Sequence, residues 1–314
     1  CASTLPEGKV AMPELPEVEV IRQALWPALA GRRVVGVALL EPRLPQNITA
    51  PSLQERLVGC RFTGCSRRGK YLLFKLSSGE GFVLHLRMTG QLLLEPTGSG
   101  DDGASREAAD AADGEPATAE APELARDFGS HPYDRMIWRL DSGRLVLRDQ
   151  RRFATLHWSY RGDFTDLPFL ERLGPEPLAQ EFSPDVLARH LGRRRAPVKS
   201  VLLDQSCVAG LGNIYADEAL HRSGIAPHKP ACTLKEAEVA RLHAAIREVL
   251  QEALQAGGTT IRDYRRANGE KGQFQARLRV YGKEGAPCPV CSQPIQRRRI
   301  GGRSSWFCAR CQAS

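Results

Sequence analysis

Hydrophobic residues follow two different periods along the first half of the chain. Apolar positions recur at helical spacing over residues 16–30 and predict a helix that Gly31 ends. Strand-like runs follow at 33–40, 70–76, 82–95, 135–140, 144–148 and 154–160. One helix followed by several antiparallel strands predicts an α+β protein whose N-terminal domain is an antiparallel β-sandwich.

The pattern becomes helical after residue 177. Short helices are predicted over 184–191, 197–204 and 212–222. Thr233 and Glu236 have the spacing of a capping box, which predicts the start of a long helix. That helix is predicted to continue to Ala256 and to end at Gly257-Gly258, because glycine readily adopts the left-handed conformation that terminates helices.

One acidic segment interrupts the first domain. Residues 97–130 contain nine Asp or Glu and two Arg, and between 97 and 127 the apolar side chains other than Leu124 are alanines, mixed with Gly and Pro. Such a segment buries too little apolar surface to offset the entropy of ordering it. It predicts a disordered insertion between two strands. Competition with DNA for basic surface is a second interpretation, although solvated filler is the more common one.

The charge of the remaining chain favours a polyanionic partner. The 314 residues carry a net charge of +8, and since the acidic segment contributes −7, the rest carries +15. Nucleic acid is the commonest partner of such a protein, but a basic enzyme without one is equally compatible with composition alone. No apolar run reaches the roughly 20 residues of a membrane span, and residues 1–11 lack the pattern of a signal peptide.

Cysteine spacing gives the strongest local signal. Four of the nine cysteines form two Cys-x-x-Cys pairs separated by sixteen residues, at Cys288, Cys291, Cys308 and Cys311. This is the ligand pattern of a structural zinc site, and it indicates a reducing compartment. The segment between the pairs predicts a β-hairpin with Gly301-Gly302 at its tip and several arginines. It suits insertion into a DNA groove, although a zinc knuckle without a ligand is the simpler interpretation.

Two further segments carry possible chemistry. Glycines before the helix at 212–222 let backbone amides approach an anion, and Asn213 and Lys199 are candidates to bind a phosphate there. A helix cap explains the same turn. Acidic residues near Met12 complement the dipole of the first helix. If Met12 is the translation start and is removed, Pro13 has a free secondary amine, a nucleophile toward a sugar aldehyde, and Glu14 is its proton shuttle. The residues alone favour capping.

Taken together, these segments resemble the formamidopyrimidine-DNA glycosylase family, which also includes the endonuclease VIII type. The resemblance runs from residue 12 to residue 312 in order, outside the acidic segment. It rests on the cysteine pairs and on motifs at 12–19, 68–73, 85–90, 149–153, 173–178 and 210–218.

The resemblance implies three domains and an activity. They are a catalytic β-sandwich flanked by helices at 12–172 with the disordered insertion at 97–130, a helix-two-turn-helix domain at 173–284 and a zinc finger at 285–314. The implied enzyme flips out and excises oxidised purines (8-oxoguanine and formamidopyrimidines) through a Schiff base, then cuts the strand by β,δ-elimination as an AP lyase. Its implied partner is double-stranded DNA with oxidised bases or abasic sites. One structural Zn²⁺, a monomer and a cytoplasmic (bacterial nucleoid) location are also expected.

The resemblance also implies a role for each site residue. The catalytic residues are Pro13, Glu14, Lys70 and Arg303, with Glu17 in support. DNA contacts come from His85, Lys199 and Asn213, which grip phosphates together with Arg303, and from Met88, Arg151 and Phe153, which fill the void left by the flipped base. The segment 258–274 resembles a loop that closes over that base.

Two alternatives stay open. One is an endonuclease VIII-type glycosylase for oxidised pyrimidines, although Leu15 and the zinc tail favour the purine branch. The other is a protein that binds lesion DNA without cutting it, because residues 1–11, if retained, leave Pro13 an ordinary amide. Ala154 departs from the family pattern, which usually has Gly there.

Overall fold

The computed structural model describes residues 12–96, 131–259 and 273–312. Residues 1–11, the acidic insertion and most of the segment expected to close over the base lie outside them. The described residues divide into two compact units. The helical unit takes those within Cys1–Ala24, Ser66–Leu73 and Asp163–Ser314, and the sheet unit takes those within Leu25–Cys65 and Phe74–Gly162.

The described part of the N-terminal half contains α1 (Leu15–Leu29), β1 (Val34–Leu39), α2 (Ala50–Leu57), β2 (Phe62–Arg68), β3 (Tyr71–Leu76), β4 (Gly81–His85), β5 (Gly90–Glu95), β6 (Asp134–Leu140), β7 (Arg144–Asp149) and β8 (Thr155–Ser159). Its strands form two four-stranded sheets with the orders β1-β6-β7-β5 and β2-β3-β4-β8.

Aromatic side chains fill the interior between these sheets. Phe82 on β4 stacks on Trp138 of β6, with ring centroids 5.8 Å apart, so the two sheets bury their apolar faces against each other. Phe62 and Phe74 pack edge to face at 5.9 Å in the same core. The predicted antiparallel β-sandwich is confirmed.

The single strand predicted over residues 82–95 is wrong. The chain forms β4, turns, and enters the other sheet as β5. Arg87 has a left-handed φ of 54°, and Gly90 N–H donates to the Leu86 carbonyl at 3.0 Å. A side chain at residue 90 meets that carbonyl oxygen at 2.4 Å, so the turn requires glycine. Alternating hydrophobicity does not reveal such a turn, because both flanking segments are apolar.

The helical unit contains α3 (Pro168–Glu171), α4 (Pro184–Leu191), α5 (Val198–Leu203), α6 (Asn213–Ser223) and α7 (Glu236–Gln255). Helix α7 packs on α6 over a shared apolar core. The predicted cap of α7 is wrong: Thr233 lies in a preceding 3-10 turn, where its hydroxyl donates to the Pro230 carbonyl. The cap is two residues later, where the Glu238 carboxylate accepts from Lys235 N–H at 2.9 Å.

The predicted C-terminal hairpin is confirmed. Strands β9 (Gln296–Ile300) and β10 (Arg303–Phe307) pair antiparallel, and Gly301 and Gly302 have φ of 56° and 79° at the tip. Among the described residues, no helix is long and apolar enough to cross a membrane.

Candidate active site

The carboxylate of Glu14 lies at the N-terminus of helix α6. Its Oε1 accepts from Ile214 N–H at 3.0 Å, and the side chain is only 3 % exposed. Leu15 N–H donates to the Gly210 carbonyl at 3.1 Å, which ties the start of α1 to the glycine turn. A Cβ at Gly212 is 2.2–2.6 Å from the Glu14 carboxyl atoms, so only glycine admits this anion. The glycine turn therefore does hold an anion, but within this chain the anion is Glu14.

A second buried carboxylate, Glu17, accepts hydrogen bonds from two separate backbone segments next to Glu14. Its Oε2 accepts from Glu14 N–H at 3.0 Å, and its Oε1 accepts from Thr259 N–H at 2.8 Å. The Tyr215 hydroxyl also donates to Oε1 and is 2.9 Å from Thr259 Oγ1. Glu17 thus joins the start of α1, the first turn of α6 and the end of α7.

Burial dominates the protonation of both carboxyls. It raises the pKa of Glu14 to about 7, with Glu17 adding to the rise and the Lys70 ammonium opposing it. It also raises the pKa of Glu17, against the hydrogen bonds from Tyr215, Thr259 and Glu14. A carboxyl with its pKa near 7 can both hold and release a proton near neutral pH.

Lys70 is a buried cation close enough to Glu14 to influence it. Burial lowers the pKa of Lys70, the charge of Glu14 opposes this, and the charge of Arg303 adds to it. The preceding Gly69 has φ of 56° and donates its N–H to Glu176 Oε1 at 2.6 Å. Glu176 also accepts from Arg67 at 2.8 Å, so an ion-pair network fixes the turn that presents Lys70.

Lys199 is fully buried and already has partners in the protein. Its Nζ lies 2.7 Å from Asp217 Oδ1 and donates to the Ser304 carbonyl at 2.9 Å and the Ser305 hydroxyl at 2.7 Å. Burial lowers the pKa of Lys199 and raises that of Asp217, and their mutual attraction opposes both shifts. Asp217, which the sequence did not single out, also accepts from Trp306 N–H at 3.2 Å.

The arginine hairpin is fastened to α6 by these contacts. Asn213, at the start of α6, donates its side-chain amide to the Ser304 carbonyl at 3.1 Å. Arg303 precedes Ser304 at the beginning of β10, and its side chain is exposed. The helical unit therefore contains Pro13, Glu14, Lys70, Lys199, Asn213 and Arg303 of the predicted site.

The remaining predicted DNA contacts, His85, Met88, Arg151 and Phe153, lie in the sheet unit. The Arg151 guanidinium lies over the Phe153 ring at 4.8 Å and 3.6 Å from Met88 Sδ. Phe153 is 47 % exposed, an unusual position for a large apolar side chain. His85, at the end of β4, is buried and accepts from Arg87 N–H at 2.9 Å through Nδ1.

Asp149 shapes the loop that carries Arg151 and Phe153. Its buried carboxylate accepts from Phe153 N–H at 2.7 Å, Ala154 N–H at 2.8 Å and Arg151 N–H at 3.2 Å. An Asp at a strand end followed by a loop is a local signal for such a role. Asp149 belongs to one of the motifs that carry the resemblance, but the sequence assigned it no function.

Four thiols converge at the base of the hairpin. The sulfurs of Cys288, Cys291, Cys308 and Cys311 all lie within 4.8 Å of one another. The Cys288–Cys311 pair is at 3.8 Å and the Cys291–Cys308 pair at 3.4 Å. A tetrahedral zinc ion with Zn–S bonds of about 2.3 Å separates its sulfurs by about 3.8 Å. The four cysteines fit one zinc ion, and four protein ligands leave it no open position for a substrate, which makes the site structural.

Three family models match the chain in sequence order. The formamidopyrimidine-DNA glycosylase N-terminal domain matches residues 12–156, and the formamidopyrimidine-DNA glycosylase H2TH domain matches residues 173–265. A zinc finger found in FPG and IleRS matches residues 285–313.

Curated relatives match over nearly the whole chain. The formamidopyrimidine-DNA glycosylase of Desulfitobacterium hafniense is 39 % identical over 96 % of this chain and 100 % of its own length. The enzyme of the same name from Thermus thermophilus is 41 % identical over 96 % of this chain and 98 % of its own.

Solved structures give the same result. The MutM (Fpg) crystal structure from Thermus thermophilus has a TM-score of 0.78 and 40 % identity, and the match covers 96 % of this chain and 99 % of that one. A Lactococcus lactis Fpg mutant in complex with Fapy-dG containing DNA has a TM-score of 0.81 and 33 % identity, with 96 % and 100 % covered.

Proposed function

The chain belongs to the formamidopyrimidine-DNA glycosylase family, and from that premise we propose that it excises oxidised purines from double-stranded DNA and cleaves the strand as an AP lyase. One observation carries the proposal. The residue after Pro13 is a buried carboxyl whose pKa is raised to about 7 and which is held by the N-terminus of α6. A proton shuttle of this kind is what an amine nucleophile at residue 13 requires.

The proposed reaction begins when the flipped nucleotide reaches the Pro13 amine, which is free in a protein whose translation starts at Met12 and whose Met12 has been removed. The nitrogen forms a bond to the deoxyribose C1′, and the bond from C1′ to the base breaks. The base leaves with a proton, the C1′–O4′ bond then breaks as O4′ takes up a proton, and the ring-opened sugar remains as a cationic imine on Pro13, whose nitrogen has lost its proton. The imine acidifies C2′–H, whose loss expels the 3′ phosphate, and the resulting conjugated imine acidifies C4′–H, whose loss expels the 5′ phosphate. Glu14 moves the protons.

Three cationic or polar groups support this step in the helical unit. We propose that Lys70, Arg303 and Asn213 contact the phosphates of the extruded nucleotide, because they converge with Glu14 on the start of α6 and on β10. Lys199 can join them only if its Nζ exchanges the Ser304 carbonyl or the Ser305 hydroxyl for a phosphate oxygen.

In the sheet unit, the proposed roles are void filling and phosphate contact. Met88, which is half-buried, contacts an exposed cation–π pair of Arg151 and Phe153, and this cluster is suited to stack where a base has left the helix. His85 contacts a phosphate. Zinc, bound by the four cysteines, supplies no chemistry to the reaction and stabilises the hairpin that carries Arg303.

A second candidate function is the removal of oxidised pyrimidines. A Lactococcus lactis Fpg structure with a TM-score of 0.80 and 32 % identity was solved with an oxidised pyrimidine containing DNA.

The curated relatives are bacterial, and we propose the cytoplasm, at the nucleoid, as the working location.

The test uses a chain that starts at Met12, incubated with an 8-oxoguanine:C duplex and borohydride. We expect a covalent protein–DNA adduct that maps to Pro13. Glu14→Gln is the matched variant, because it keeps the amine and removes the shuttle, and it should slow excision by about 10²–10⁴-fold. An adduct formed only with an oxidised-pyrimidine duplex indicates the second function, and tight binding without any adduct indicates a non-catalytic protein.

A further inference from the structure

A histidine on α6 contacts the zinc site. His221 is two residues before the end of this helix, is only 4 % exposed, and has its Nε2 at 3.4 Å from Cys288 Sγ. That separation is within hydrogen-bond range for a sulfur acceptor. Cys288 is itself buried, so the contact is shielded from water.

The chemistry of the pair fixes which atom carries the proton. A zinc-bound thiolate has no hydrogen to donate and can only accept, so Nε2 must carry a proton. Nδ1 is buried and has no hydrogen-bond partner among the residues described. If Nδ1 carried a proton, a buried N–H would have no acceptor. If Nδ1 is unprotonated, only an acceptor lacks a partner. The environment therefore fits the Nε2–H tautomer.

A donor at this position has a physical use. Four thiolates around one Zn²⁺ carry a net charge of −2, and a hydrogen bond to a sulfur stabilises that charge and withdraws electron density from the sulfur. The backbone supplies a similar but longer contact, from Cys311 N–H to Cys308 Sγ at 3.5 Å. His221 provides a side-chain donor to the other cysteine pair, at the residue that starts it.

We propose that His221 is a hydrogen-bond donor to the zinc-bound Cys288 thiolate, which slows zinc loss and protects that sulfur from electrophiles. The hydrogen bond also connects the zinc site to helix α6, whose first turn binds Glu14. This inference concerns the metal site alone, so it does not depend on the proposed reaction.

The test measures zinc transfer from the purified zinc-loaded protein to the chromogenic chelator 4-(2-pyridylazo)resorcinol in the presence of a thiol-reactive mercurial. His221→Phe keeps an aromatic ring and removes the donor, and we expect zinc transfer to accelerate about 10–100-fold. His221→Gln retains an N–H and should recover part of the difference. The matched control is His243→Phe, which removes a ring hydrogen bond to the Phe182 carbonyl (2.7 Å) away from the cysteines. It should leave zinc transfer unchanged.

A measurement on the unsubstituted protein covers the case in which His221→Phe does not fold. In protein loaded with ¹¹³Cd, we expect the His221 Nε2–H resonance to show a scalar coupling to the metal across the N–H···S bond. Zinc transfer at the wild-type rate from folded His221→Phe, or a spectrum in which Nε2 carries no proton, overturns the proposal.

Discussion

The two ends of helix α6 differ in how the buried negative charge beside them is neutralised. At the N-terminus, the Glu14 carboxylate accepts hydrogen bonds from backbone N–H groups, and the Lys70 ammonium that interacts with it is itself destabilised by burial. At the C-terminal end, His221 contacts Cys288, one of four clustered cysteines whose thiolates a bound zinc ion would neutralise in part. The first site stays titratable near neutral pH, and the second is closed.

This difference has an energetic consequence. Raising the pKa of Glu14 from 4.5 to about 7 disfavours the ionised carboxylate by about 3 kcal/mol in the folded protein. A structural zinc site stabilises its fold by about 10 kcal/mol or more. We therefore expect titration near neutral pH at Glu14, where the charge is poorly compensated, and a contribution to stability at the four cysteines, where one zinc ion would bind every thiolate. The difference between the two ends of α6 can be tested by removing the zinc ion or one side chain at a time.

The largest expected effect comes from removal of zinc. Without the metal, two buried and two half-buried thiols have no common partner, so we expect β9 and β10 to unfold and Arg303 to lose its fixed position. Limited proteolysis should then cut within residues 285–312, and excision should be lost until zinc is restored. A metal-free protein that resists cleavage there contradicts the structural role of the site.

Sequence reasoning succeeded where the signal was local. The cysteine pairs and the Gly301-Gly302 tip are each defined within a few residues, so spacing alone predicted both the zinc site and the hairpin. Helix α4 was predicted with the same limits as observed, because Pro184 and a regular apolar face mark it. The short helix α2 escaped notice, since it buries only Leu53 and Leu57.

The sequence was least informative where segments that are far apart along the chain come into contact. Glu14 and Ile214 are 200 residues apart, and no local pattern shows that the glycine turn binds a carboxylate of this chain. Lys199 was assigned to a phosphate from its charge, but its partner Asp217 lies on a different helix. Such pairings depend on tertiary packing, which hydrophobic periodicity does not encode. The role of Lys199 toward DNA stays a prediction.

Asp217→Asn tests a compensated anion in the middle of α6. The substitution leaves the Lys199 ammonium buried without its counter-charge, and we expect the free energy of unfolding to fall by about 3–5 kcal/mol. Urea denaturation measures the loss. Asp204→Asn is the matched control, because its ion pair with Arg194 is exposed and should contribute less than about 1 kcal/mol. Equal effects of the two substitutions argue against a buried pair.

Glu14→Gln should stabilise the protein, in the opposite direction to Asp217→Asn. Because the folded-state pKa of Glu14 is raised, its contribution to stability is fully present below about pH 4.5 and is lost as pH rises through about 7. The variant does not undergo this loss. Its free energy of unfolding, relative to that of the wild type, should therefore increase by about 3 kcal/mol between pH 4.5 and pH 8. Unfolding curves at both pH values measure it. An advantage that does not change with pH means that Glu14 is not the titrating group.

The smallest effect is expected from Tyr215→Phe, which removes one donor from Glu17 and the hydroxyl's contact with Thr259 Oγ1. Hydrogen bonds to charged groups contribute about 1.5–3 kcal/mol, and Glu17 keeps its bonds from Glu14 and Thr259 N–H, so the cost should lie near the lower value.

The pH dependence of that cost distinguishes the hydrogen bond from packing. The hydroxyl stabilises the ionised form of Glu17, whose pKa burial already raises, and its loss raises that pKa further. The deficit should therefore be larger at pH 8 than at pH 5, whereas a deficit equal at both values indicates lost packing alone. Tyr160→Phe, at a half-exposed ring in the sheet unit, should change neither value. Zinc transfer from Tyr215→Phe should match the wild type, because Tyr215 acts on the carboxylates at the first turn of α6 and the thiolates are bound at the last. Accelerated zinc transfer would mean that the two ends of the helix are coupled. The Glu14 site and the cysteine site would then differ in charge compensation but would not be independent of each other.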